Sequence, residues 1–364
     1  MKKYSIISLI LVALCLCSLV GCGGSNQRKA EGTIPYAFES VKGYGYEASS
    51  TIIDGEDARI YYTVNQKKNK PENVIATRKG NTTNGLTFEE QVVCLTANAE
   101  GWDKYNLNNA DVIPGEFKYG GEDYKYLMAY EANNIESYKR LQIGFAVSKD
   151  GVNFVKVGDS PIVSYDYNAY GDTVGVCYPS LVNINGKGNV MLFYTFASAL
   201  VTESRFIEIK ADDLDHVVTS GAISVPTVGL PLDGNMWAVI TNADYAYDST
   251  TDEIYIVKDG FPYATQNSKK AVKIELGRIA RNDMYEQNAS WQVICSALDG
   301  ITMGSYSRIY SAEFITNGSG VIDGANLEIM FTSGVAAKDI EDESYLYLSG
   351  IHYFEIDDTL REDI

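Results

Sequence analysis

The chain has 364 residues, 45% of them hydrophobic and 21% charged, with a formal net charge of −18. That composition supports a large folded core and excludes a disordered or fibrous chain. The acidic excess repels a phosphate backbone, so nucleic acid is not an expected partner.

Lys2 and Lys3 precede an apolar run over residues 6–20. The run is short for a membrane span, which needs about 20 apolar residues. It ends in Leu19-Val20-Gly21-Cys22, which resembles a bacterial lipoprotein lipobox. The resemblance implies a signal peptide over 1–21, cleavage before Cys22 and a lipid on its sulfur. The protein is then expected at the bacterial cell envelope, outside the cytoplasm and anchored to the membrane. Loss of Lys2 and Lys3 takes the charge from −18 to −20. Residues 22–32, with Gly23-Gly24-Ser25-Asn26, read as a flexible tether. Residues 33–364 are expected to form one all-β domain.

Within that domain, short apolar or alternating runs are separated by Gly, Asp, Asn and Lys clusters, the pattern of strands joined by hairpins. A first group of four begins at Tyr46-Glu47 and continues through Arg59-Ile60-Tyr61, Asn73-Val74-Ile75 and Leu86-Thr87-Phe88. The second runs from Asn108 through Tyr126-Leu127-Met128 and Ile143-Gly144-Phe145 to Pro161-Ile162-Val163. The third starts at Tyr178-Pro179, the fourth at Trp237-Ala238 and the fifth at Tyr306-Ser307-Arg308. Ile75-Ala76-Thr77-Arg78-Lys79-Gly80 in the first group parallels Phe145-Ala146-Val147-Ser148-Lys149-Asp150 in the second, an internal repeat at four-strand spacing. The expected fold is a five-bladed β-propeller of four-stranded antiparallel blades, with residues 33–38 supplying an outer strand to blade five. Closure of the ring removes exposed sheet edges. A β-sandwich is the alternative, and it leaves the four-strand repeat unexplained.

The 27 tyrosines suit half-buried strand positions, and their polar tips also suit sugar-binding walls. Cys94, Cys177 and Cys295 fall in three different blades and read as small buried residues. Neither CxxC nor HxxxH spacing occurs, so no metal site is specified. The two histidines, His216 and His352, read as structural.

Asn109-Ala110-Asp111, Leu127-Met128-Ala129-Tyr130 and Gly144-Phe145-Ala146-Val147-Ser148-Lys149-Asp150-Gly151 together resemble the five-bladed glycoside hydrolases of the arabinanase, β-xylosidase and arabinofuranosidase type. The last motif also resembles, one residue short, the sialidase Asp-box. In the hydrolase family a base, an acid and an acid-tuning Asp face a funnel on the axis. Hydrolysis needs two carboxyls because the leaving oxygen is protonated while a water is activated. The resemblance implies that Asp111 is the tuning carboxylate. The family base is an Asp-Pro that this chain lacks, and Glu47 is the nearest carboxylate. The family acid is replaced by Tyr178, whose phenol is a poor general acid at neutral pH. Asp172 or Glu116 are the candidate substitutes. Asp244 repeats the Asn-Ala-Asp of blade two and completes the expected catalytic set of Asp111, Glu47 and Asp244. Arg308 stands where the family binds substrate, Trp237 and Tyr306 are candidate stacking surfaces, and Asp233 is a candidate rim residue. Each has a plain alternative: a turn Asp, a structural salt bridge or a core aromatic. An axial ion such as calcium is compatible with the fold, though no ligand set in the sequence specifies one.

Three functions follow from this reading. The first is a surface-tethered glycoside hydrolase-like protein acting on a polysaccharide or oligosaccharide in the funnel. The second is a carbohydrate-binding lipoprotein that has lost the acid. The third is a propeller used for protein contacts.

Overall fold

The computed structural model describes residues 36–39, 45–65, 73–230, 240, 242–260, 273–299, 308–334 and 349–356. They form five antiparallel blades. Blade one is β2 (Gly45–Asp54), β3 (Asp57–Asn65) and β4 (Val74–Asn81), with β5 (Thr87–Phe88) and β6 (Val92–Leu95) both on the edge of β4. Blade two is β7 (Tyr105–Tyr119), β8 (Glu122–Asn133), β9 (Gln142–Ser148) and β10 (Phe154–Lys156). Blade three is β11 (Gly175–Asn183), β12 (Asn189–Ala197) and β13 (Thr202–Lys210), edged by β14 (Val218–Thr219) and β15 (Ile223–Ser224). Blade four is β16 (Ala243–Asp248), β17 (Glu253–Gly260), β18 (Lys273–Ala280) and β19 (Gln292–Asp299). Blade five is β20 (Arg308–Asn317), β21 (Leu327–Gly334) and β22 (Ser349–Ile356), and its outer strand is β1 (Tyr36–Glu39) from the start of the described chain.

The ring is closed twice. β1 pairs antiparallel with β22, as expected for residues 33–38. In addition, the innermost strands of blades one and five pair in parallel, Thr51 opposite Ile315 and Ile53 opposite Asn317. That second seam was not expected from the strand pattern. The fourth strand of blade two also differs from expectation. It lies at Phe154–Lys156, and Val163 makes only an isolated bridge to Ile143.

Blades stack face to face, so a middle strand is buried on both sides and reads as a continuous apolar run. β12 is buried from Val190 to Phe196, and β8 is buried from Leu127 onward, where the blades converge. Five apolar clusters fill the five gaps between neighbouring blades. Leu127, Phe145 and Leu192 mark the gap between blades two and three, and Val257, Ile329 and Phe331 the gap between four and five. Tyr61, Tyr62, Tyr255 and Tyr310 are fully buried, so much of the tyrosine excess serves these cores. Burial of each such large side chain is worth about 1.5–3 kcal/mol.

The Gly-Phe-Ala-Val-Ser-Lys-Asp-Gly motif is architectural. A Cβ at Gly144 would lie 2.4 Å from the Trp102 ring, which stacks on Tyr130. Asp150 caps its hairpin by accepting the Val152 and Asn153 amides at 2.8 Å, and Gly151 has φ +74. Burial acts to raise the Asp150 carboxyl, but its amide and hydroxyl donors outweigh that and hold it well below the usual range. The Gly151 carbonyl accepts the buried Tyr61 hydroxyl of blade one at 2.9 Å, so the motif joins two blades.

Candidate functional site at the propeller axis

The five innermost strands are β2, β7, β11, β16 and β20. Within or directly before four of them a residue adopts a left-handed backbone: Asn109 (φ 44), Tyr178 (φ 53), Asn242 (φ 48) and Ser311 (φ 49). Each stands two positions before a polar residue on the axis, namely Asp111, Ser180, Asp244 and Glu313. In blade one the matching pair is Ala48 and Ser50. Asn is among the few residues that adopt this conformation at modest cost, whereas Tyr and Ser do so only under tertiary constraint.

Two belts of hydrogen bonds supply that constraint. The deeper belt runs around the whole axis, each polar residue reaching the strand of the next blade. Ser50 Oγ accepts from Val112 N at 3.1 Å, and Asp111 Oδ2 from Leu181 N at 2.5 Å. Ser180 Oγ accepts from Tyr245 N at 2.9 Å, and Asp244 Oδ2 from Phe314 N at 2.8 Å. Thr51 Oγ1 donates to Glu313 Oε1 at 2.9 Å and closes the circle. Asp111 Oδ1 also accepts its neighbour Val112 N at 2.7 Å, and Ser180 Oγ donates to Asp244 Oδ1 at 2.7 Å. Both oxygens of Asp111 and of Asp244 are therefore engaged.

The second belt lies one layer nearer the strand entrances. Here a second-strand side chain accepts the amide of a left-handed or equivalent residue in the next blade. Thr63 Oγ1 accepts from Asn109 N at 2.9 Å, Glu131 Oε2 from Tyr178 N at 2.7 Å, and Thr332 Oγ1 from Ala48 N at 2.9 Å. Two second-strand acids also hold the asparagine side chains. Asn109 Nδ2 donates to Glu131 Oε1 at 3.0 Å, and Asn242 Nδ2 to Asp259 Oδ2 at 3.2 Å.

Ala48, Asn109, Tyr178, Asn242 and Ser311 line the floor of an axial pocket, with Asp244 and Glu313 beneath them. Among the described residues this floor encloses ≈ 40 Å³, room for about one water or one hydroxyl group. Any larger ligand therefore rests above the floor. A wider concavity of ≈ 1030 Å³ lies at the opposite end of blades two and three, lined by Lys118, Lys149 and Glu116. It is an open groove of charged side chains, with Lys118 near Asp123 and Lys149 on Glu122, and it is remote from the axis.

Burial sets the electrostatics of the axis. It raises the Asp111 carboxyl, against the Leu181 amide. It raises Asp244 further, with the Asp111 charge adding to the effect. Glu313 is pushed well up by burial and then by Asp244, and its Oε2 is buried without a hydrogen-bond partner. Glu131 is pushed up to about 7 by burial, which the Tyr178 amide opposes and the Glu47 charge reinforces. Among the described residues, no three His, Cys, Asp or Glu side chains are set to hold a metal ion.

The structure thus brings Asp111, Asp244, Tyr178 and Glu47 toward one axis. The two Asn-Ala-Asp tripeptides occupy equivalent places, each with a left-handed Asn and a belt Asp. Asp172 is elsewhere, exposed on the loop into β11 and paired with Arg140 at 2.7 Å and Lys139 at 3.1 Å. Glu116 is at the far end of β7, in the opposite groove, and so cannot serve the axial pocket. Arg308 opens β20 as expected for blade five. Trp237, Tyr306, Asp233 and Cys22 lie outside the described residues. His216 is exposed beside Asp213, and buried His352 bonds Ser333 at 2.7 Å. Cys94, Cys177 and Cys295 are buried, as expected for small core residues.

Sequence reasoning missed Glu131, Glu313 and the belt serines. Glu131 did leave a trace, a lone charge inside Leu127-Met128-Ala129-Tyr130-Glu131-Ala132. Glu313 in Ser311-Ala312-Glu313-Phe314 left a similar one.

The fold is a propeller of the kind found in glycoside hydrolases. An α-L-arabinofuranosidase from Lactobacillus brevis superposes with a TM-score of 0.58 at 8% identity, over 90% of this chain and 94% of that one. The GH43_1 enzyme from Xanthomonas citri, complexed with xylotriose, gives 0.55 at 12% identity, over 91% and 93%. An N-acetylgalactosamine deacetylase from F. plautii, in complex with blood group B trisaccharide, gives 0.52 at 14% identity, over 88% and 95%. At these identities the likeness is one of fold. No family profile matches the chain, and no curated protein matches it by sequence.

Proposed function

We propose that this protein captures a saccharide chain in the axial pocket of its propeller, at the bacterial cell envelope, through a lipid on Cys22. The observation that carries the reading is the chemistry of the floor. Amide and hydroxyl side chains (Asn109, Tyr178, Asn242 and Ser311) line it, while Asp111 and Asp244 have both oxygens engaged within the belt. Amides and hydroxyls complement sugar hydroxyls, and a few convergent polar groups in an axial concavity are the usual form of a ligand site. Similar folds have been solved with xylotriose and with a blood group trisaccharide, which supports the same ligand class here.

Hydrolysis is the second reading, favoured by one observation. Glu131 is pushed up to about 7 by burial, with the Glu47 charge adding to the effect, and a pair of neighbouring carboxyls is what glycoside cleavage uses. The test is to incubate the mature protein with arabinan, xylan, mannan and aryl-glycosides, and to read binding and reducing-end release together. Capture predicts binding without release, lost in Tyr178→Ala. Release that disappears in Glu131→Gln and in Glu47→Gln would replace capture with hydrolysis. Neither binding nor release would move the case to protein contacts.

A further inference from the structure

Blades one, two and five each use a second-strand side chain to accept an amide from the next blade. Blades one and five do so with threonine, Thr63 and Thr332. The structural task therefore needs only a hydroxyl oxygen. Blade two performs it with Glu131, a residue 3% exposed, whose burial a threonine would avoid. The extra reach has a use. One oxygen takes the Tyr178 amide of blade three and the other the Asn109 side chain of blade two. Both of those residues are left-handed, and both line the pocket floor.

We propose that Glu131 is a positioning residue for the saccharide site, its carboxylate fixing the Asn109 side chain and the Tyr178 backbone together, so that the floor offered to a ligand depends on whether this acid is ionised. The inference rests on the capture reading given above. The groups that face Glu131 are Glu47 from β2, Asn108 and Asn109 from β7 and the Cys177 thiol from β11. Ionised, the carboxylate accepts both hydrogen bonds. When it takes up a proton, one oxygen becomes a hydroxyl that must donate. The Glu47 charge nearby favours that protonated form, and the hydroxyl oxygen is a weaker acceptor, so the grip on the floor loosens. Burial and the Glu47 charge place that change near neutral pH.

The test uses the full chain in detergent, labelled with ¹⁵N-tyrosine, the Tyr178 amide being assigned with Tyr178→Phe. Between pH 5 and 9 the Tyr178 resonance is expected to shift with a midpoint near 7. The shift should vanish in Glu131→Gln, and its midpoint should fall in Glu47→Gln, which leaves Glu131 itself unchanged. A flat wild-type resonance, or a shift that survives in Glu131→Gln, overturns the proposal. So does a midpoint unmoved in Glu47→Gln. Binding of xylotriose, or of the polysaccharide retained in the panel above, should weaken about tenfold from pH 8 to pH 6, the scale of one charge-assisted hydrogen bond. That profile should be flat in Glu131→Gln. If no saccharide binds, the capture reading alone fails, because the Tyr178 titration is read without ligand.

Discussion

Asp111 of blade two and Leu181 of blade three are joined by a 2.5 Å hydrogen bond, carboxylate to main-chain amide. The contact defines what Asp111 does. Its second oxygen takes the Val112 amide, so the side chain is spent on holding two blades in register. The same is true of Asp244, held by Phe314 N and Ser180 Oγ.

Stability should therefore depend on pH in a particular sense. Asp111, Asp244 and Glu131 are all raised above the usual carboxyl range. A group with a raised folded-state pKa binds its proton more tightly when folded. Its stabilising effect is complete below the unfolded value and is lost as pH rises through the folded one. Asp150 is lowered and acts in the opposite sense, its contribution disappearing in acid. Calorimetry from pH 4 to 9 should show the highest stability at the acid end, near pH 4, and a decline as pH rises to about 8. Asp244→Asn should flatten the decline. An unchanged slope in that variant would count against Asp244 as its source.

Ser180 is the hub of the deeper belt, accepting Tyr245 N and donating to Asp244. Ser180→Ala leaves a buried amide without its acceptor, at a cost of about 1–3 kcal/mol. The expected fall in Tm is about 1–2 °C per kcal/mol for a domain of this size. Denaturant unfolding of the variant checks it, and the loss should be additive with a change at Lys118, which lies in the remote groove.

Gly144→Ala tests the motif in its architectural role. The added methyl would meet Trp102 at 2.4 Å, so the ring must move off Tyr130. Overpacking of this kind costs about 1–3 kcal/mol. The near-ultraviolet circular dichroism of the Trp102–Tyr130 stack should change, with saccharide binding retained.

Tyr178→Gly separates strain from recognition. Glycine adopts φ 53 freely, and its relief of about 1 kcal/mol offsets part of the lost ring contacts. The variant should unfold within about 1 kcal/mol of the wild type and bind saccharide at least tenfold more weakly. Full binding by the glycine variant would remove the Tyr178 ring from the site.

Strand patterning carried the fold because each blade repeats a local rule: apolar where blades meet, Gly and Asp where hairpins turn. It carried β1 as the outer strand of blade five for the same reason. The β2–β20 seam was not legible, since parallel pairing between chain ends leaves no local pattern. At the axis, Asp111 and Asp244 were visible through their shared Asn-Ala-Asp. Their engagement by amides of neighbouring blades was not, because a main-chain donor has no sequence signature. Glu131 was passed over for a related reason. It lies on a second strand, and its reach to the axis comes from a contact between residues 47 positions apart.

The double seam has a consequence for how the molecule is made. Among the described strands β1 and β2 leave the ribosome first, and their partners β20 and β22 belong to the last blade. Until that blade emerges the first blade has an open inner edge, and the outer strand of blade five waits without a sheet. The ladders of blades two to four each lie within one blade, joined to the next only by isolated bridges such as Leu141 to Gly175, and can form while synthesis continues. Nascent chains stopped before residue 308 should thus hold three protected blades and a first blade open to proteases. Protection should spread to β1 and β2 only after the final strand has emerged.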